Sequence, residues 1–204
     1  TEYKKLDIAK SQNKFIPFNL GLCYLKIGSS NDAMHCFTLA TRLDESFLPA
    51  WIKICSILIH EARYQEAVPL IHKLIKLDPN NFLPYEYLGS IYNELGNLDQ
   101  ALASTLKSLE FKPDNPTALA NLGAIYNKLG SYDQALEATK RSLELKPDNP
   151  IALMNLGSNY KELGRLEQAL IATNRSLEIK PDNSVALMNL GGIYIDLGSF
   201  DQAL

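Results

Sequence analysis

The chain has no apolar run long enough to cross a bilayer, and its first residues do not form a signal-like pattern of basic residues followed by an apolar core. It also lacks an excess of either charge. Lys and Arg total 20 against 23 Asp and Glu, a net charge of −3. Without a basic surface there is nothing to hold a phosphate backbone or an anionic membrane, so neither nucleic acid nor membrane is expected as a partner. Cysteine is scarce. Cys23, Cys36 and Cys55 are odd in number, fall in the first third and fit no zinc spacing. They read as small buried hydrophobes in a reducing, cytoplasmic setting, with a disulfide between two of them as the alternative. His35, His60 and His72 never pair at the four-residue spacing that puts two ligands on one helix face, so no metal is expected. Apart from the adjacent Gly191 and Gly192 the glycines stand singly, at helix contacts or ends, so no phosphate-cradling loop is expected. Asp99, Asp133, Glu167 and Asp201 recur at helix starts, where capping and the helix dipole explain them better than acid–base chemistry. The expectation is a protein without catalytic residues, metal or cofactor.

What the chain does have is a period. Pro79, Pro113, Pro147 and Pro181 are spaced 34 residues apart, and roughly two thirds of the positions in 113–146 recur unchanged in 147–180. A fixed period of this length marks a stacked repeat array, in which each unit contacts mainly its neighbours and the array offers an extended surface.

Each unit reads as two helices. Asn115 before Pro116 and Asn149 before Pro150 suit an N-cap followed by the first helical position, where the missing proline N–H is not needed. Leu119, Leu122, Tyr126 and Leu129 then make one apolar stripe at helical spacing. Gly28, Gly96, Gly130, Gly164 and Gly198 follow as C′ glycines. Ser131 to Gln134 and Ser199 to Gln202 resemble capping boxes that open a second helix. Its stripe is Ala135, Leu136, Thr139, Ser142, Leu143 and Leu145, and Pro147 stops it. Gly89, Gly123, Gly157 and Gly191 form one column of small residues. Ala33, Ala67, Ala101, Ala135, Ala169 and Ala203 form another. Both are expected where helices touch.

Leu122-Gly123 with Tyr126, then Ala135, then Pro147, repeated at constant spacing, resembles the signature of the tetratricopeptide repeat family. Trp51 sits where that family often has tryptophan. The resemblance implies an all-α, right-handed superhelical solenoid of antiparallel helix pairs. Units are expected at 14–47, 48–81, 82–115, 116–149 and 150–183, with a partial one at 184–204. Residues 1–13 are expected to form a cap or the end of a preceding helix. The second unit departs from the pattern: Cys55 and Ala62 replace its two glycines and Leu58 its tyrosine, and the small Cys and Ala are expected to preserve packing. The family's aromatic in the second helix survives as Phe37 and becomes Ile71, Thr105, Thr139 and Thr173 further along.

In that family the first helices line the concave face. The resemblance therefore points to three columns as the partner-binding surface. The first is Asn19, Lys53, Tyr87, Asn121, Asn155 and Asn189. The second is Phe18, Ile52, Glu86, Ala120, Met154 and Met188, and the third is Leu25, Ile59, Asn93, Asn127, Lys161 and Ile195. Asn carries both donor and acceptor, so a ladder of Asn suits the main chain of an extended peptide. The ladder is similar to that of O-linked N-acetylglucosamine transferase superhelices; the other reading is a solvated residue copied by duplication. Met154 and Met188 read equally as adaptable apolar contacts and as packing filler. Phe15, Phe18, Leu22 and Leu25 suit either an anchor site or the surface under a preceding helix. Lys53 stands without a neighbouring Arg, which disfavours the carboxylate clamp found in some relatives.

The expected function is a non-catalytic scaffold that binds protein or peptide segments. The alternative is the substrate-recruiting arm of a larger enzyme, such as a glycosyltransferase. The chain begins without Met and stops at Asp201-Gln202-Ala203-Leu204, which matches the helix opening at Asp133–Leu136, so a segment of a longer protein is expected. Ala203, Leu204, Leu190 and Tyr194 would then present an apolar end suited to end-to-end self-association.

Overall fold

A computed structural model describes residues 12–199 and 201. The expected helix end within residues 1–10 and the continuation at 202–204, with Ala203 and Leu204, lie outside the described residues. Eleven helices are described: α1 (Phe15–Lys26), α2 (Ser30–Leu43), α3 (Leu48–His60), α4 (Tyr64–Leu77), α5 (Phe82–Glu94), α6 (Leu98–Phe111), α7 (Pro116–Lys128), α8 (Tyr132–Leu145), α9 (Pro150–Glu162), α10 (Leu166–Ile179) and α11 (Ser184–Asp196). The fold class is all-α, a tandem array of helix pairs. The chain divides into two compact units, residues 1–87 and 88–204, with the division inside α5.

The punctuation of the repeat does what its chemistry requires. Asn115 accepts from the N–H groups of Thr117 and Ala118, and Asn149 from those of Ile151 and Ala152, so each satisfies donors that the first helical turn leaves free. Gly28, Gly96, Gly130, Gly164 and Gly198 all take φ between 69° and 78°. At Gly130 this left-handed turn lets its own N–H reach the Asn127 carbonyl and the next N–H reach the Tyr126 carbonyl, closing α7. The second helices start differently from expectation. Ser131 occupies the N-cap of α8 but its hydroxyl makes no capping bond, because the one-residue turn from Gly130 leaves it at φ −88° and ψ 64°, not in the extended conformation of Asn115 and Asn149.

In unit 1, α1 packs on α2, α2 on α3 and α3 on α4. Phe37 is fully buried against Gly21, where an added Cβ would lie 2.6 Å from its ring. Phe18 meets both Phe37 and Phe47, and Phe15 stands edge-on to Phe47 at 5.4 Å. The aromatic group of the first unit is thus an internal cluster, with Phe15 half exposed at its margin. Lys14 lies over the rings of Phe15 and Phe47 and pairs with Asp44. Cys36 and Cys55 are buried and Cys23 is exposed, all as free thiols.

In unit 2, α7 packs on α8, α9 on both α8 and α10, and α11 on α10; α9 also touches α7 and α11, so first helices lie side by side. The glycine column has its physical cause here. A Cβ at Gly89, Gly123 or Gly157 would lie 2.2–2.3 Å from Oγ1 of Thr105, Thr139 or Thr173. Small meets small because the two helices of each pair touch at these points. Ala33, Ala67, Ala101, Ala135 and Ala169 are all without solvent exposure. Ser142 donates to the Pro116 carbonyl and Ser176 to the Pro150 carbonyl, both at 2.7 Å, tying the end of each second helix to the start of its partner. Leu119, Leu122 and Leu136 are buried as the stripes predict, whereas Leu129 and Leu145 are exposed because they sit at helix ends. Leu190 and Tyr194 of α11 are partly buried.

Candidate functional site

The exposed faces of the first helices in unit 2 line a cleft of about 430 Å³. Helix α5 supplies Ser90, Asn93 and Glu94, and α7 supplies Asn121, Ala124, Asn127 and Lys128. Helix α9 supplies Ile151, Met154, Asn155 and Ser158, and α11 supplies Val185 and Asn189. Every lining residue comes from a first helix. The spacing explains why: Ile151, Met154, Asn155 and Ser158 fall at steps of three and four, one face of a helix, while Leu153 and Gly157 on another face go into the core.

Six residues expected at a partner surface meet here: Asn93, Asn121, Asn127, Met154, Asn155 and Asn189. Met188 stands on α11 outside the cleft and is 70% exposed. Asn19, Ile52, Lys53, Glu86 and Tyr87 belong to unit 1. Asn19 is exposed, and Ile52, Lys53 and Glu86 are partly buried. Tyr87 is hydrogen-bonded to Ser56, and burial pushes its hydroxyl up to about 12, so it stays protonated at neutral pH. Trp51 spends its indole N–H on the Glu45 carbonyl at 2.9 Å, with Lys73 over its ring at 4.1 Å.

The cleft amides are not equivalent. Asn155 is 6% exposed and donates its Nδ2 to the Ala120 carbonyl at 2.9 Å, bridging α9 to α7. Asn127 donates its Nδ2 to Oδ1 of Asn159 at 2.7 Å. Asn121 and Asn189 hold no side-chain hydrogen bond among the described residues. Lys128 gives its Nζ to the Asn93 carbonyl at 2.9 Å, and Lys161 lies 3.7 Å from Asp196. Polar ties therefore run between successive first helices along the cleft, and only some of its amides remain uncommitted.

Several residues escape the column argument. Ile151 and Val185 flank the amides and are 52% and 45% exposed; both stand two positions after a capping Asn, a column the core stripe does not use. Asn159 is fully buried. Its place in the repeat is held by Cys23 in the first unit and otherwise by Ile57, Ile91, Ile125 and Ile193, so an amide in an apolar column was the signal.

Family models described as tetratricopeptide repeat or TPR repeat match residues 18–47, 71–103, 89–130, 116–149 and 151–183. The chain belongs to the tetratricopeptide repeat family. Over 100 residues this tetratricopeptide array is 32% identical to Protein O-mannosyl-transferase Tmtc3 of Drosophila melanogaster, a match that covers 48% of the chain and 11% of the relative. Over 79 residues it is 28% identical to Anaphase-promoting complex subunit cut9 of Schizosaccharomyces pombe, covering 39% and 12%. The chain thus spans about a tenth of the length of these curated relatives. The crystal structure of the APC/C Cut9–Hcn1 hetero-tetramer superposes with a TM-score of 0.86 at 20% identity, covering 95% of this chain and 40% of that one. At that identity the likeness speaks for the tetratricopeptide fold alone. No helix among the described residues is long and apolar enough to cross a membrane.

Proposed function

We propose that this array is a protein-interaction scaffold and that the unit 2 cleft holds a peptide or protein segment. The observation that carries the reading is the meeting of six expected residues in one cleft, with an amide floor, an aliphatic edge of Ile151 and Val185, and one charge of each sign among its lining residues. Such a mixture suits an extended main chain with small apolar side chains, since amides match peptide groups and aliphatics gain from burial. The family's scaffold role and the hetero-tetramer in which Cut9 is seen support protein partners over other classes.

The test uses a peptide selected from a displayed random library against the full chain. Asn121→Ala with Asn189→Ala is the informative pair, because neither amide is committed inside the protein. Losing two hydrogen bonds of about 1 kcal/mol each weakens binding about tenfold or more, with thermal stability unchanged. Unchanged affinity with an intact fold sinks the reading. Asn155→Ala is not equivalent, since it also cuts the tie to Ala120.

A second reading is favoured by the match to Protein O-mannosyl-transferase Tmtc3: the array serves as the recruiting arm of an enzyme whose catalytic domain lies elsewhere. The complete coding sequence decides it. A neighbouring glycosyltransferase domain supports this version, and a chain made only of repeats excludes it.

A further inference from the structure

The direction of two cleft amides, Asn127 and Asn155, follows from two backbone carbonyls. Thr139 donates its one hydroxyl hydrogen to the Ala135 carbonyl at 2.7 Å. Its oxygen can then only accept, so the end of Asn159 that meets it at 3.2 Å is Nδ2. Oδ1 of Asn159 therefore faces Asn127, and the end of Asn127 that meets it is again Nδ2. Asn155 is oriented independently, because a carbonyl such as that of Ala120 accepts only from nitrogen. Asn127 and Asn155 each commit their nitrogen within the protein, which leaves the carbonyl oxygen as the end that can accept from a ligand. The arrangement is local to this repeat: the residues that match Asn159 for Thr105 and Thr173 are Ile125 and Ile193, which offer no amide, and the two hydroxyls are buried without a partner.

We infer that the part of the cleft formed by Asn127 and Asn155 is a hydrogen-bond acceptor surface, selective for the N–H groups of an extended aliphatic segment over carboxylate-bearing ones, and that Asn159 is the positioning residue that sets this polarity at Asn127. The inference rests on the cleft being the binding site proposed above. Two further features agree with it. Lys128, the cation among the lining residues, already gives its Nζ to the Asn93 carbonyl, and the Glu94 carboxylate in the same lining disfavours an acid. Ile151 and Val185 stand exposed beside the acceptors, where aliphatic side chains would cover them. Asn159 replaces an isoleucine of its column with a buried amide whose oxygen serves Asn127. That exchange forgoes apolar packing and orients a cleft residue.

The experiment is amide-resolved NMR on the full chain with nitrogen-15 labelling. Before any ligand is added, the side-chain NH₂ groups of Asn127 and Asn155 are expected to exchange with solvent about tenfold slower than those of Asn121 and Asn189, the measure of one protecting hydrogen bond. Asn159→Ile abolishes the slowing at Asn127 and leaves it at Asn155. Three probes follow: acetyl-Gly-Val-Gly-Val-Gly-amide, the same peptide N-methylated at each backbone nitrogen, and its Asp-for-Val counterpart. The valine peptide is expected to shift Asn127 and Asn155 at concentrations where the other two do not. Equal exchange at all four asparagines overturns the inference whatever binds, as does a valine peptide that shifts neither Asn127 nor Asn155. Equal shifts by the N-methylated or Asp peptide overturn it while leaving the cleft a binding site. Failure of the cleft itself shows separately, as indifference of the library-selected peptide to Asn121→Ala with Asn189→Ala.

Discussion

Ala62 closes α3 with φ at 55°, the one non-glycine residue among those described in the left-handed region. Size is not what this position selects. The other units place glycine here because a Cβ crowds the carbonyl in that conformation, at a cost of roughly 1–2 kcal/mol. Part of any gain from glycine is returned to the freer unfolded chain, so Ala62→Gly is expected to raise stability by about 0.5–1 kcal/mol in urea unfolding. At the other end of unit 1, the Lys14 ammonium and then Ser46 hold the Asp44 carboxyl down from 3.8 to about 2. Its folded-state value is depressed, so its contribution is complete above about pH 4 and is lost as pH falls toward 2. Lys14→Met is expected to flatten the acid limb of the stability curve in that window, read by chemical denaturation from pH 5 to 2. Cys55 carries no such role: burial pushes its thiol up to about 12, and it packs as a small hydrophobe.

At the scale of the element, the helix pair depends on its point of contact. Thr139 is pinned by its bond to Ala135 and by Asn159, so it cannot retreat from a methyl at Gly123 placed 2.2 Å away, and the Ala135 carbonyl stands 3.2 Å from the same point. Gly123→Ala is expected to cost about 1–3 kcal/mol as overpacking. Thr139→Ala in the same chain restores much of that, a coupling that a double-mutant cycle measures. The Asn149 cap is simpler: Asn149→Ala frees two N–H groups of α9 and is expected to cost about 1 kcal/mol in thermal unfolding. These elements were legible in the sequence because their causes are local. Proline after the second helix, glycine after the first and Asn before Pro each act within a few residues. The serine before α8 misled for the same reason. Its identity suits a cap, but the dihedral angles imposed by Gly130 decide whether the hydroxyl reaches.

For the molecule as a whole, the repeat makes the site. One first helix presents one to three polar side chains, and only adjacent copies bring them into a cleft. Periodicity therefore disclosed which columns share a face, and six expected residues lie together in unit 2. What it could not disclose is which amides are already used. Asn121, Asn155 and Asn189 look alike in the sequence, yet Asn155 is committed to a carbonyl 35 residues away. That depends on the lateral placement of α9 against α7, which no local rule supplies. The exposed pair Ile151 and Val185 was hidden differently, since attention to the amide column passes over the position beside it. The chain spans a small part of its curated relatives, so the partner is the open term, and the face that meets it is the claim to test. Chemical-shift mapping of a library-selected peptide on the nitrogen-15-labelled full chain does so most directly. The account predicts that the largest shifts fall on Asn121, Ile151, Ser158, Val185 and Asn189, all on first helices. Shifts concentrated on α6, α8 and α10 would contradict it.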